Sequence, residues 1–115
     1  MARRVLVVED EAMVAILIED LLADLGCELA GSAANAREAM SMAASGEFDV
    51  ALLDVNLGEG ETSFDVADLL RRNGARFAFL TGYGAAGVRL DLRDAPILGK
   101  PVDAADLKRF LEAVD

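Results

Sequence analysis

Apolar and polar positions along the chain alternate between two periods. Residues 5–8 (Val5-Leu6-Val7-Val8) are an unbroken apolar run, mostly β-branched, the pattern of a strand buried on both faces. Met13, Val14, Leu17, Ile18, Leu21, Leu22 and Leu25 then recur at helical spacing, with Gly26 as the stop. Residues 28–32 read as a short second strand. Asn35 is an N-cap candidate for a helix carrying Ala39, Met40 and Ala43 and ending near Gly46. Residues 48–53 are a third apolar run that stops abruptly at Asp54, before a loop containing Gly58-Glu59-Gly60-Glu61. Ser63 is placed to cap a helix with Phe64, Ala67, Leu69 and Leu70 inward, stopped by Gly74. Residues 77–80 make a fourth strand ending at Thr81-Gly82. Residues 83–94 have weak helical periodicity interrupted by Gly84 and Gly87 and read as a short, loosely held helix. Residues 96–98 form a fifth strand before Gly99-Lys100-Pro101, and Asp103 caps a last helix with Leu107, Phe110, Leu111 and Val114 on one face.

Five strands alternating with five helices predict parallel βαβ units joined by right-handed crossovers. The compact solution is an α/β fold, a doubly wound five-stranded sheet in the flavodoxin-like order 2-1-3-4-5. Ligands of such sheets sit at the carboxyl ends of the strands, where strands one and three diverge.

Composition narrows the functions this sheet can carry. The chain has 115 residues, the size of one domain, and residues 1–115 are expected to form it with no output domain. Eleven Lys and Arg against 21 Asp and Glu give a net charge of −10, which repels nucleic-acid phosphates and anionic lipid alike. Histidine is absent, which removes Ser-His-Asp and Cys-His catalysis and His-ligated metals, and the single Cys27 excludes a disulfide framework. No apolar run approaches the ~20 residues of a membrane span. A cytoplasmic, soluble protein is expected.

The strand ends carry the candidate chemistry. Strand one ends in Glu9-Asp10-Glu11, strand three in Asp54, strand four in Thr81 and strand five in Lys100. Any one of these alone reads as a helix cap or a solvated loop end. Together, Glu9, Asp10 and Asp54 would crowd carboxylates, an unfavourable arrangement without a bound cation or a held proton. Oxygen ligands without imidazole or thiolate favour a hard ion, Mg²⁺ first. Beside that ion, Asp54 can act as a nucleophile to form an acyl phosphate, with Lys100 neutralising the phosphoryl oxygens and the Thr81 hydroxyl donating to one of them.

With these residues in this order, the chain resembles a response-regulator receiver domain of two-component signalling over essentially its whole length. The resemblance implies that Asp54 is the phospho-acceptor. It also implies that Asp10 and Asp54 bind Mg²⁺ directly, that Glu9 acts through water and that Asn56 supplies its backbone carbonyl. Two departures stand out. Most receivers carry an aromatic residue on strand five where this chain has Ile97, and many have Met-Pro where it has Leu57-Gly58, which suggests a mobile loop. The run Phe79-Leu80-Thr81-Gly82-Tyr83 is similar to the motif of the FATGUY receivers, which are linked to kinases of the HWE and related classes. Gly82 and Tyr83 become candidate switch residues, against a plainer role in a turn and as cover for the sheet edge.

The resulting expectation is a signalling switch that is no turnover enzyme. A histidine kinase or phosphotransfer protein would phosphorylate Asp54, changing a protein-binding surface at residues 83–94 and strand five for a downstream protein target. A phosphate sink is the alternative. A small Mg²⁺-dependent aspartyl phosphatase is disfavoured, because that class places Asp-x-Asp after its first strand and needs a larger body. A nucleotide or flavin binder is disfavoured by the lack of a Gly-x-Gly-x-x-Gly loop.

Overall fold

Val5, Leu6, Val7 and Val8 are all buried, as a strand covered on both faces requires. They belong to β1 (Arg4–Val8), which pairs in parallel with β2 (Glu28–Ala33) on one side and β3 (Val50–Asp54) on the other. β4 (Arg76–Thr81) and the short β5 (Ile97–Gly99) complete a sheet in the order β2-β1-β3-β4-β5, as expected. This computed structural model describes residues 3–114.

Side-chain alternation along the strands divides the core into two layers. Leu6, Val8, Ala51, Leu53 and Phe79 face one side, where α2 (Ala36–Ser45) and α3 (Phe64–Arg72) bury Ala39, Ala43, Val66 and Leu70. Val5, Val7, Leu52, Ala78 and Leu80 face the other, beneath α1 (Ala12–Asp24) and α4 (Ala104–Ala113). Two of the caps form as expected: Asn35 Oδ1 accepts from the Glu38 N–H at 2.9 Å, and Asp103 Oδ1 accepts from Ala105 at 2.7 Å. Ser63 holds the N-cap position of α3 but its side chain makes no capping bond. Its hydroxyl is instead buried without a hydrogen-bond partner. Helix α1 buries Ala15, Ile18 and Leu22, whereas Met13 and Leu17 are 71% and 61% exposed. Its apolar residues therefore serve two faces, only one of which is the core.

The expected fourth of five helices does not form. Four α-helices are present among the described residues, and the stretch after β4 is two short 3-10 turns, Gly84–Gly87 and Leu90–Leu92. Gly84 takes φ +59°, and Val88 and Arg89 are extended (ψ 137° and 138°), so no continuous helical ladder passes through the segment. No helix among the described residues is long and apolar enough to cross a membrane.

Register brings the strand ends to one edge. Val8 lies opposite Ala33 and Leu53, Asp54 opposite Leu80, and Thr81 opposite Gly99. The residues that follow extend this alignment, with Glu9 N–H donating to Ala33 O at 2.9 Å and Lys100 N–H donating to Thr81 O at 3.1 Å.

Candidate functional site

Glu9, Asp10 and Asp54 meet at this edge, each offering a carboxylate oxygen within 4.8 Å of the others'. Glu9 and Asp54 are buried, at 2% and 4% exposure. Lys100 Nζ lies between them, 2.9 Å from Glu9 Oε1 and 3.2 Å from Asp54 Oδ2. The Glu11 backbone N–H donates to Glu9 Oε2 at 3.1 Å. Burial pushes the Glu9 carboxyl up from 4.5 to about 7, with the neighbouring Asp54 adding to the rise and the Lys100 ammonium opposing it. Burial alone would lower the Lys100 pKa, but its bonds to Glu9 and its attraction to Asp54 outweigh that and leave it raised.

Thr81 is buried at the end of β4, and its Oγ1 accepts a hydrogen bond from the Tyr83 N–H at 3.1 Å. The hydroxyl proton is left available to a ligand. Tyr83 itself is 74% exposed, and Gly82 has open space where a Cβ would stand. Gly87 folds back over this turn. A Cβ on it would stand 3.1 Å from Thr81 Oγ1 and 3.4 Å from Tyr83 Cβ.

Asn56 sits on the loop between β3 and α3, which the sequence suggests is mobile. The structure closes that loop as a small hairpin: Asn56 bridges Thr62 in antiparallel fashion, and Leu57 N–H donates to Glu61 O at 2.9 Å. Gly58, at φ +84°, rests against Asp10, and a Cβ there would stand 3.1 Å from Asp10 Oδ2. The positive φ favours glycine there, and a Cβ would press on the Asp10 carboxylate.

Residues 83–94 are not held uniformly. The first half, with Gly84 and Gly87, has no buried residue in its 3-10 turn. The second half is anchored by buried Val88 and Leu92 and by two arginines. Arg89 pairs with Asp68 of α3 and with Asp91, each at 2.6 Å, and lies over the Phe64 ring at 5.9 Å. Arg71 of α3 reaches Asp94 at 3.2 Å and lies over Phe77 at 5.8 Å. The loosely held part is thus shorter than the sequence suggests.

Asp10, Asp54, Asn56, Gly58, Thr81, Gly82, Tyr83 and Lys100 line one open cleft of about 500 Å³, with Glu9 behind Asp54 and Lys100. All the residues singled out from the sequence therefore meet at one place. Gly58, Gly87 and Glu11 belong to it as well. The sequence placed Gly58 in a loop and Gly87 in a loosely held helix, but not which side chain each one faces. The donor set suits Mg²⁺: two buried carboxylates from Glu9 and Asp54, the more accessible Asp10 beside them, no imidazole or thiolate, and an open side for waters.

Comparison with known proteins agrees with this geometry. Residues 5–112 match the response regulator receiver domain family. The transcriptional regulatory protein PdtaR of Mycobacterium tuberculosis is 27% identical over 113 residues, which is 96% of this chain and 55% of PdtaR. The chain thus spans about half the length of that curated relative. The solution structure of SdrG from Sphingomonas melonis Fr1 superposes with a TM-score of 0.86 at 34% identity, covering 98% of this chain and 96% of SdrG. The BeF3-activated conformation of SdrG, from Pseudomonas melonis Fr1, gives 0.81 at 35% identity, covering 96% and 94%. Fold, strand-end chemistry and sequence match agree, and the chain belongs to the response regulator receiver domain family of two-component signalling.

Proposed function

We propose that Asp54 is the phospho-acceptor of a Mg²⁺-dependent switch that receives its phosphoryl group from a histidine kinase or phosphotransfer protein. The observation that carries this reading is Lys100 standing between buried Glu9 and Asp54, with Asp10 completing the carboxylate set. An Asp54 carboxylate oxygen attacks the phosphorus of a phosphohistidine. The new O–P bond forms as the N–P bond breaks, and the electron pair stays on the departing imidazole. Asp10, Asp54 and the Asn56 carbonyl would hold Mg²⁺ directly and Glu9 through water. The ion's contribution is to offset charge on the phosphoryl oxygens. Lys100 exchanges carboxylate partners for a phosphoryl oxygen, and Thr81 donates its free hydroxyl proton to another. This is one phosphorylation per activation, the work of a switch and not of a turnover enzyme.

The donor needs a docking surface next to Asp54, and α1 offers one. Met13, Ile16 and Leu17 are exposed there. A groove of about 530 Å³ between α1 and the β5–α4 loop, lined by Val14, Leu21 and Pro101, shares Glu11 and Lys100 with the cleft. The Phe79-Leu80-Thr81-Gly82-Tyr83 run supports a kinase of the HWE class as donor, and a cytoplasmic location goes with that reading. Output passes through the turn carrying Gly82 and Tyr83 to a protein target. That SdrG adopts a BeF3-activated conformation supports the same switching logic here. Incubation of the purified protein with acetyl phosphate tests the reading. One phosphoryl group should be added in Mg²⁺ and none in chelator. Phosphorylation that survives chelation would overturn the metal-assisted step.

A further inference from the structure

We propose that Glu61 is a positioning residue for this site: it ties the loop that carries Asn56 and Gly58 to the start of α2, and so holds the wall of the cleft facing Asp10. The inference rests on the reading of Asp10, Asp54 and Asn56 as the cation's ligands. Glu61 Oε1 accepts a hydrogen bond from the Ala36 N–H at 2.9 Å, across 25 positions of chain. Two other donors at this helix start are served locally. Glu38 N–H bonds Asn35 Oδ1, and Ala34 N–H bonds Glu38 Oε1, each at 2.9 Å. Ala36 alone of these three gives its N–H to the distant loop.

The backbone of Glu61 is also what closes the hairpin. Its carbonyl accepts from Leu57 N–H and its N–H donates to Gly58 O, both at 2.9 Å. Gly58 in turn stands against Asp10 Oδ2. An unbroken path therefore runs from the α2 N-terminus through Glu61 and Gly58 to a carboxylate of the acidic cluster. A carboxylate at a helix start is favoured by the positive end of the helix dipole, which holds the loop without needing burial. Releasing it lets Gly58 and Asn56 leave the positions that fix Asp10 and the Asn56 carbonyl relative to Asp54. No core packing is lost with the side chain, since Glu61 is exposed and fills no core volume.

Mg²⁺ titration by calorimetry, with amide hydrogen exchange at Ala36, tests this on the parent, Glu61→Ala and Glu61→Gln. The alanine variant should bind Mg²⁺ about three- to tenfold more weakly, and glutamine, which keeps an acceptor oxygen, should recover most of that loss. Mg²⁺ should slow exchange of the Ala36 N–H in the parent and leave it unchanged in the alanine variant. Equal Mg²⁺ affinity in parent and alanine variant would overturn the role of Glu61 while leaving the metal site standing. A parent that binds no Mg²⁺ would overturn the metal reading itself, and the inference with it.

Discussion

Lys100 Nζ bonds Glu9 Oε1 at 2.9 Å, joining the ends of β5 and β1 across 91 positions of chain. Glu9 is buried and cannot find water as a substitute partner, so the ammonium is what offsets the crowded carboxylates in the metal-free protein.

Lys100→Ala should therefore destabilise the metal-free protein by about 1–3 kcal/mol, read by denaturant unfolding in chelator. Mg²⁺ binding should be nearly intact, because the ammonium carries no lone pair for the ion. The response to phosphorylation should be impaired. A variant as stable as the parent in chelator would show that the ammonium does not compensate the buried carboxylates.

Glu9 gives the metal-free protein a pH dependence. Its carboxyl sits at about 7 folded against an ordinary 4.5, mainly through burial. A group whose pKa rises on folding contributes stability that is fully present below the unfolded value and lost as pH climbs through the folded one. In chelator, the unfolding midpoint should decline as pH rises from about 4.5 to about 7. Glu9→Gln, a neutral isostere, should flatten that decline. Identical slopes in parent and variant would remove Glu9 as its source.

Gly87 is predicted to be the point where Thr81 is read out. It carries no positive φ, so alanine is allowed by the backbone, yet its methyl would stand 3.1 Å from Thr81 Oγ1. Thr81 and the turn must part by a few tenths of an ångström to admit it, which restricts the movement of the Thr81 side chain. Asp54 should still be phosphorylated in Gly87→Ala, but the Tyr83 amide should shift less on addition of beryllofluoride and Mg²⁺. A shift equal to the parent's would mean that Thr81 moves without regard to Gly87.

The two-sided strands and their polar ends were open to sequence reasoning because burial on both faces leaves an unbroken apolar run, and Glu9, Asp54, Thr81 and Lys100 each end or follow one. Parallel register then does the assembly. The segment after β4 was less legible. Leu90 and Leu92 carry an apolar signal, but the extended Val88 and Arg89 separate the two turns. Besides buried Val88 and Leu92, its second half is held by the Arg89–Asp68 pair, a contact between residues 21 positions apart that local periodicity does not encode. Helix α1 misleads for a different reason: its mean character is apolar enough to hide that Met13 and Leu17 face outward. Likewise, Gly58 read as loop freedom, whereas its proximity to Asp10 exists only after β1 and β3 have paired.

The central claim is that phosphate is carried by the Asp54 carboxylate, and reductive trapping tests it most directly. The protein is treated with acetyl phosphate and Mg²⁺, reduced with borohydride and mapped by peptide mass spectrometry. An acyl phosphate is reduced to the alcohol, so Asp54 should appear as homoserine, in Mg²⁺ and not in chelator, and Asp54→Asn should show no reduced residue in the cluster. Phosphate found as an acid-stable ester on a serine or threonine, with Asp54 unreduced, would contradict the account.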